Sequence, residues 1–347
     1  MTVENNLAAF CIGGATAYFL CLAYHILKGQ GKSQVRLHKL LGYIFIYWAA
    51  SNAKDLLLTF PGTYSQPMLD VVTLCDGWSA LTFLVLLYEL TMPGWTTLRR
   101  LALTALPFVG FTVAYLLHPA HELISVYTRF LCLFGLTVMV TGYNRSRRYL
   151  SYIRNNYSNI DEIDISWIGY VYLIAFVSQL LWFVTAAASD QLADCLYYLF
   201  EIMMWQMVYV HCRTLKQVVP DNDDSEAAPA ATGSPERTYA FAGELERIIS
   251  EEKLYRNPNL SLADLTARLG TNRTYLSQYF TNVKRMTFYD YVNAMRIEKE
   301  SVPLLESHPE YTLEYIARES GFNSLSTFRR AFKKFTGKTP GNYRCDN

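Results

Sequence analysis

The sequence predicts an all-α protein with two helical parts of different character, joined by a short polar segment. Across residues 1–219, apolar segments of about 20 residues alternate with short polar loops, as in helices that cross a hydrocarbon core of ~30 Å. Across residues 237–347, apolar residues instead recur every three or four positions, as in short amphipathic helices. Between them, 220–236 contains five acids, three prolines and no Lys or Arg, which is typical of a flexible linker. We therefore predict a seven-helix transmembrane bundle, a linker and a second helical domain.

Seven apolar segments define the predicted transmembrane domain, which is expected to lie in the lipid bilayer. The predicted spans cover residues 7–27, 38–60, 68–90, 101–117, 122–142, 165–188 and 192–212. The fourth is the shortest and contains Pro107. The first follows MTVENN, which has no basic residue, so it does not resemble a secretory signal peptide. Two long core helices of a soluble protein could imitate a pair of spans, but a run of seven favours a membrane protein.

The charges in the predicted loops indicate the orientation of the bundle. Twelve basic residues occupy the first, third and fifth loops and the segment after the seventh span: Lys28, Lys32, Arg36, Lys39, Arg99, Arg100, Arg145, Arg147, Arg148, Arg154, Arg213 and Lys216. The even-numbered loops, PGTYSQP, HPAHE and ASDQ, contain no Lys or Arg. Because such residues concentrate on the cytoplasmic side, the N-terminus is predicted to lie outside and residues 213–347 in the cytoplasm. An odd number of spans likewise places the two ends on opposite sides of the membrane.

Five charged residues within the predicted spans are candidates for a functional site. They are Lys54, Asp55, Asp76, Arg129 and Glu201. Charged side chains inside a bilayer are costly and usually face the interior of the bundle. One interpretation is a pocket, open to the outside, in which a signal molecule meets these groups. The other is ion pairing between helices, such as Arg129 with Asp76 or Glu201, without a ligand.

The sequence predicts no metal site, no cofactor and no enzymatic activity. Its seven cysteines are scattered without a CxxC pair, and its histidines have no metal-ligand spacing. There is no Gly-rich phosphate-binding loop. The cysteines are expected to be small apolar residues inside helices.

A helix-turn-helix pattern follows the predicted linker. LERIIS (245–250) starts one amphipathic helix. Ser261 and Asp264 have the spacing of a capping box at the start of a second helix, which is predicted over about 262–269 and ends at Gly270. RTYLSQYFTNV (273–283) forms the next helix. Two helices separated by a glycine turn have the spacing of a helix-turn-helix unit.

The same pattern returns near the end of the chain. Thr312 and Ser324 are predicted to cap two helices, with Gly321 in the turn and Ala317 four residues before it. A small residue and a permissive glycine allow two helices to meet at a steep angle. A longer helix is predicted between the two units, over about 287–305. Its apolar side consists of Phe288, Tyr291, Val292, Met295 and Ile297, and Pro303 is expected to end or bend its tail.

These residues carry a family resemblance. The run IARESGFNSLSTFRRAFKKFTGKTPGNYR (316–344) resembles the signature of the AraC/XylS family of bacterial transcription regulators. The matching residues are Ile316, Ala317, Gly321, Phe322, Ser324, Phe328, Arg330, Phe332, Lys333, Gly337, Pro340, Tyr343 and Arg344. LADLTARLGTNRTYLSQYF is similar to the family's first unit, with Thr266 where alanine is commoner. The resemblance covers about 245–344 and implies two helix-turn-helix units, each placing a recognition helix in the major groove of duplex DNA.

The outward faces of the two predicted recognition helices supply the candidate DNA contacts. They are Arg273, Thr274, Ser277 and Gln278 in the first unit, and Ser324, Ser326, Thr327, Arg330, Lys333 and Lys334 in the second. Arg suits guanine and Gln suits adenine, whereas the two lysines are better placed for phosphates. Residues 237–347 contain 17 Lys and Arg against 13 Asp and Glu, a surplus that favours an anionic partner.

Two functional interpretations follow from these observations. The first is a one-component transcription regulator in the bacterial inner membrane, whose bundle senses a small molecule or a membrane-protein partner. The second is a transporter-like or partner-docking membrane protein with an attached regulatory DNA-binding domain. Seven spans argue against a simple two-fold transporter repeat. The sequence leaves open whether the protein forms a homodimer.

Overall fold

The computed structural model describes residues 3–28, 35–60, 63, 65–188, 191–219 and 239–346, which form helices and loops. The only β pairing among these residues is an isolated antiparallel bridge between Tyr157 and Ser261. The chain divides into two compact units. Unit 1 comprises Met1–Arg147 and Ile165–Val219, and unit 2 comprises Arg148–Asp164 and Pro220–Asn347. The predicted linker, 220–236, lies outside the described residues. Residues 148–164, which the sequence prediction placed in the membrane domain, pack with unit 2.

Each of the seven predicted apolar segments coincides with helix. The helices are α1 (Val3–Lys28), α2 (Val35–Asp55), α3 (Gln66–Gly77), α4 (Ala80–Thr91), α5 (Leu98–Leu117), α6 (His121–Asn156), α7 (Ile168–Ala188) and α8 (Gln191–Thr214), with a 3-10 turn at Leu56–Thr59. The third segment is two helices because the backbone tightens at Trp78 and Ser79. Their N–H groups donate to the carbonyls three residues earlier, at 3.2 and 2.9 Å.

Among the residues that the structure describes, four helical runs are long and apolar enough, by length and composition, to cross a membrane. They are Asn6–Lys28, Gln66–Thr91, Leu98–Leu117 and His121–Asn156. A shorter apolar helix covers Ile168–Leu181. The helices α2 and α8 are not in this set because they are more polar. Helix α2 carries Arg36, His38, Lys39, Asn52, Lys54 and Asp55, and α8 carries Glu201, Gln206, His211 and Arg213. The seven spans expected from the sequence therefore stay a prediction, of which the described residues support four.

Unit 2 ends with a run of short helices. They are α9 (Ala242–Glu251), α10 (Leu262–Leu269), α11 (Arg273–Asn282), α12 (Phe288–Arg296), α13 (Val302–Ser307), α14 (Leu313–Glu319), α15 (Leu325–Thr336) and α16 (Pro340–Asp346), with a 3-10 turn at Leu254–Arg256. A π-helical turn, Ile297–Ser301, joins α12 to α13 without a break. Pro303 therefore does not end the helix, which continues to Ser307. It lies in the first turn of α13, where the π turn already interrupts the regular hydrogen-bond ladder.

Two hydrophobic clusters stabilise unit 2, one for each half of its helical run. The first contains Leu245, Leu262, Leu265, Leu276, Phe280, Phe288 and Val292. The second contains Ile297, Leu305, Ile316, Ala317, Phe322, Phe328 and Phe332. The long helix from Phe288 to Ser307 contributes side chains to both clusters and so connects them. This is the arrangement expected of two helix pairs joined by a longer helix.

Candidate functional site

The first helix pair consists of α10, a turn at Gly270 and α11. The Ser261 hydroxyl accepts the Asp264 N–H at 3.3 Å, and the Asp264 carboxylate accepts the Ser261 N–H at 2.9 Å. This is the capping box expected from the sequence. Gly270 ends α10 with a φ of 61°, in the left-handed region that favours glycine. The Asn272 side chain then caps α11 by accepting the Tyr275 N–H at 2.7 Å. The turn between the helices is thus fixed by local hydrogen bonds.

The second pair, α14 and α15, repeats this construction. The Thr312 hydroxyl accepts the Tyr315 N–H at 3.2 Å, and the Ser324 side chain caps α15. Gly321 lies in the turn with a φ of 89°. A Cβ added to Gly321 would be 2.6 Å from the carbonyl oxygen of Arg256. Glycine is required there for both its backbone conformation and the close approach of another chain segment.

Polar contacts tie the second helix pair to the 3-10 turn before α10 and to the joining helix. The guanidinium of Arg256 donates to the Glu319 carboxylate at 3.2 Å and to the Glu319 carbonyl oxygen at 3.1 Å. The Lys334 ammonium lies 2.7 Å from the Asp290 carboxylate at the start of the joining helix. These contacts, with the shared helix, fix the positions of α11 and α15 within one unit.

The outer face of α15 is basic. Ser326, Arg329, Arg330 and Lys333 are exposed and share one side of the helix, at the i, i+3, i+4 and i+7 positions. The opposite side packs into the second hydrophobic cluster. Our sequence prediction missed Arg329, although its spacing from Ser326 and Lys333 is the helical signal that places it on this face. The face offers one hydroxyl, two guanidinium groups and one ammonium.

Four of the predicted contacts on this helix have partners within unit 2, and one of them, Arg330, donates to the Thr327 hydroxyl at 3.1 Å. Thr327 is only 3% exposed, so the prediction that it points outward was wrong. Its hydroxyl donates to the carboxylate of Asp161, which covers it. The Ser324 hydroxyl accepts the N–H of Thr327 at 3.2 Å, and Lys334 is paired with Asp290. The exposed surface of α15 therefore comprises the stripe from Ser326 to Lys333 and the side chain of Lys334, which stays exposed beside Asp290.

Comparison with known proteins agrees with this geometry. A family model described as a helix-turn-helix domain matches residues 265–345. Residues 265–345 form a helix-turn-helix domain.

The curated relatives match less than a third of this chain. The chain is 35% identical over 94 residues to an uncharacterized HTH-type transcriptional regulator of Staphylococcus aureus (strain COL), and the match covers 27% of this chain and 12% of that protein. It is 28% identical over 107 residues to the Msm operon regulatory protein of Streptococcus mutans, covering 31% of this chain and 37% of that protein. No solved structure matches. The matched portions fall well short of the relatives' full lengths, so the comparisons concern this domain and not the whole chain.

The second helix of the first unit of the domain, α11, is less exposed than α15. Thr274 is exposed, whereas Arg273, Ser277 and Gln278 are partly buried. Leu276 and Phe280 on the other side are fully buried in the first hydrophobic cluster. The predicted contact residues of this unit therefore occupy one side of α11, with Thr274 the most accessible of them.

Among the five candidate charged residues of unit 1, Lys54, Asp55 and Asp76 form a cluster that excludes Arg129. The Lys54 ammonium lies 2.6 Å from the Asp55 carboxylate and 2.5 Å from that of Asp76 on α3. Arg129 donates instead to the carbonyl oxygen of Ser125 on its own helix, at 3.0 Å. The expected pairing of Arg129 with Asp76 or Glu201 was therefore wrong. Asp76 on α3 is paired instead with Lys54 from α2, whereas Arg129 lies on α6.

A cavity of about 40 Å³ adjoins this cluster. Its lining includes Asp76, Glu201, Trp48, Phe83 and Tyr197. Glu201 is 2% exposed; one carboxylate oxygen accepts the Asn52 amide at 3.4 Å, and the other has no hydrogen-bond partner within the described part of the chain. A second, mainly apolar cavity of about 260 Å³ shares Ser79, Phe83 and Gln179 with the first. The two spaces combine an acidic, aromatic end with an apolar chamber.

Proposed function

We propose that this chain is an AraC-type transcription regulator that binds specific sequences in duplex DNA while attached to a membrane. The observation that carries the proposal is the exposed basic stripe on α15, at the position of the second helix in a helix-turn-helix unit. A recognition helix of this kind enters the major groove, where guanidinium groups can read guanine and lysines can bind phosphates. The similarity to HTH-type transcriptional regulators supports the same reading.

Chromatin immunoprecipitation of the full-length chain in its host tests this proposal. We expect discrete peaks that disappear in an Arg330→Ala, Lys333→Ala double variant, because that variant removes two cations from the α15 stripe. A Lys299→Ala variant provides the control, since Lys299 is exposed on the π turn outside both recognition helices. Peaks that persist in the double variant would contradict DNA reading by α15.

We further propose that residues 1–219 hold the protein in the bacterial inner membrane, with the DNA-binding part in the cytoplasm. Four helical runs of sufficient length and apolarity support attachment to the membrane. The asymmetry of Lys and Arg between odd and even loops supports the orientation. Alkaline phosphatase fused after residue 119, in the loop before α6, should be active outside the cytoplasm, and the same fusion at the C-terminus should be inactive. The reverse pattern would contradict the topology.

The acidic cavity of unit 1 is the proposed site of signal sensing. Glu201 provides a carboxylate oxygen that has no hydrogen-bond partner among the described residues, and Trp48, Phe83 and Tyr197 provide aromatic faces, so the cavity suits a small cationic group. The adjoining apolar space suits an attached hydrocarbon portion. Glu201→Gln keeps the size of the side chain and removes the charge, and it should alter transcription from the promoter found by immunoprecipitation. Arg129→Gln, outside the cluster, is the control. Unchanged output with Glu201→Gln would indicate that the bundle only anchors the protein.

A further inference from the structure

Residues 157–161, which we call the docking segment, follow the end of α6 and lie against the helix-turn-helix domain within unit 2. Tyr157 forms an isolated antiparallel bridge with Ser261, the residue that caps α10. The N–H of Ser158 donates to the carbonyl oxygen of Leu260 at 3.0 Å. Ser158 is completely buried, and Ile160 is 4% exposed. The docking segment is therefore packed on the domain as an extended strand-like piece of chain.

A buried guanidinium holds the docking segment in place. Arg296, at the end of α12, is 1% exposed and donates to the Ser158 carbonyl oxygen and to the Ser158 hydroxyl, each at 3.2 Å. Its remaining donors bind the carbonyl oxygens of Tyr255 at 2.7 Å and Asn257 at 2.8 Å, and the side chain of Asn293 at 3.0 Å. Burial lowers the pKa of Arg296 to about 10. A buried cation with these neutral acceptors needs all of them, because each lost hydrogen bond leaves the charge less well solvated.

The last residue of the docking segment reaches the recognition helix. A carboxylate oxygen of Asp161 accepts the hydroxyl of Thr327 and lies 3.8 Å from the guanidinium of Arg330. The other carboxylate oxygen is buried and has no hydrogen-bond partner within the described residues. The Asn159 side chain accepts the N–H of Asp161 at 3.1 Å and so turns the chain toward α15. An anionic group is thus held beside the first turn of α15 and one of its exposed guanidinium groups.

We propose that the docking segment is an intramolecular competitor of DNA, with the Asp161 carboxylate taking the place of a DNA phosphate beside Thr327 and Arg330. Carboxylate and phosphate oxygens are both anionic hydrogen-bond acceptors, so both groups satisfy the same hydroxyl and guanidinium donors. A phosphate approaching this turn of α15 meets a carboxylate of the same charge unless the docking segment leaves. The inference rests on the proposed DNA binding and adds a regulatory contact to it.

The position of the docking segment in the chain suggests what releases it. It follows α6 directly, and α6 up to Arg147 belongs to unit 1, whereas Arg148–Asp164 belongs to unit 2. Because the docking segment is covalently continuous with α6, a shift of α6 along its own axis pulls on Ser158 and Asp161. Release of the docking segment exposes Thr327 and frees Arg330, which is the DNA-competent state in this proposal.

The test measures DNA binding by the full-length protein in lipid nanodiscs. The DNA consists of duplexes that the unmodified protein and an Asp161→Asn variant enrich from sheared host DNA. Asp161→Asn keeps the size of the side chain and removes its charge. We expect it to bind the enriched duplex roughly tenfold more tightly than the unmodified protein, within the range measured for close charge pairs. Glu298→Gln removes one negative charge from an exposed site on the π turn and should change binding less than twofold.

A second measurement follows the docking segment directly. Hydrogen exchange of residues 157–161 should become faster when saturating duplex is added, because the Ser158 N–H loses its bond to Leu260. The inference is overturned if Asp161→Asn binds no more tightly than Glu298→Gln, or if DNA leaves exchange in this segment unchanged or slower. A different outcome bears on the proposed DNA binding itself. If the unmodified protein and Asp161→Asn enrich no duplexes beyond those that an Arg330→Ala variant also enriches, the proposed DNA binding fails as well.

Discussion

Arg296 donates two hydrogen bonds to Ser158, a residue 138 positions earlier in the chain, with both nitrogen–oxygen distances at 3.2 Å. The contact brings a segment that follows an apolar helix into the core of the helix-turn-helix domain. Arg296→Met should therefore destabilise this domain. The methionine fills much of the space but leaves the carbonyl oxygens of Ser158, Tyr255 and Asn257 without their donor, for a combined loss of roughly 3 kcal/mol. Native-state hydrogen exchange of the α12 amides measures the change. Lys299→Met, at an exposed site on the π turn, should leave exchange nearly unchanged.

Substitution of Gly321 should be more harmful than substitution of Gly337, although both have positive φ angles, 89° and 78°. At Gly321 an added Cβ meets the backbone of Arg256 at 2.6 Å, whereas at Gly337 nothing lies within 4 Å. Gly337→Ala should cost about 1 kcal/mol from backbone strain alone, and Gly321→Ala about 3 kcal/mol or more. Exchange of α14 and α15 amides in the two variants provides the comparison. Equal losses would show that the close approach to Arg256 is unimportant.

The guanidinium groups and the lysine of α15 should have separable effects on DNA binding. Arg330→Ala should cost about 1–3 kcal/mol on the preferred duplex and relax the preference at one base pair, because Arg can read guanine. Lys333→Ala should weaken all duplexes alike and reduce the slope of log affinity against log salt by about one. Binding isotherms on a set of single-base variants at several salt concentrations measure both. A similar loss of specificity from the two substitutions would exclude this division of roles.

Arg329→Ala is a further test of the exposed stripe. Arg329 lies on the same side of α15 as Ser326 and Lys333, so its removal should also cost about 1–3 kcal/mol on the preferred duplex. Arg318→Ala serves as its control, because Arg318 is exposed on α14 and outside the recognition helix. The same duplex set and buffers apply. A variant at position 329 that behaves like the control would restrict the reading face to Ser326, Arg330 and Lys333.

Lys54 should be essential to the stability of unit 1. Lys54→Met leaves the carboxylates of Asp55 and Asp76 without the cation that lies 2.6 and 2.5 Å from them. Removing one partner from a buried ion pair costs roughly 3–5 kcal/mol; this pair is partly buried, so we expect the low end of that range and a Tm in detergent lower by about 10 °C. All six tryptophans lie between residues 48 and 205, so intrinsic fluorescence reports on unit 1. Arg129→Met, the matched control, should melt close to the unmodified protein.

Local signals explain which features could be predicted from the sequence. The bounds of α10, its capping box at Ser261 and Asp264, and the glycines at 270 and 321 depend on residues within one turn of each other, so their types alone specify them. The seven apolar segments all coincide with helix because their apolar character is likewise a property of neighbouring residues. The exposed side of α15 also follows from helical spacing, although our prediction omitted Arg329 and wrongly placed the buried Thr327 on that side.

The sequence by itself thus determined the all-helical fold, the two helix-turn-helix pairs and the basic character of α15, because periodicity, caps and turn glycines act over three to seven residues. Only the tertiary structure decided that Thr327 is covered by Asp161, that Arg296 holds Ser158, and that Lys54 rather than Arg129 neutralises Asp76. Each of these contacts joins side chains far apart in the sequence. Their partners are selected by how whole helices pack, and a charge pattern along the chain does not record which charges meet.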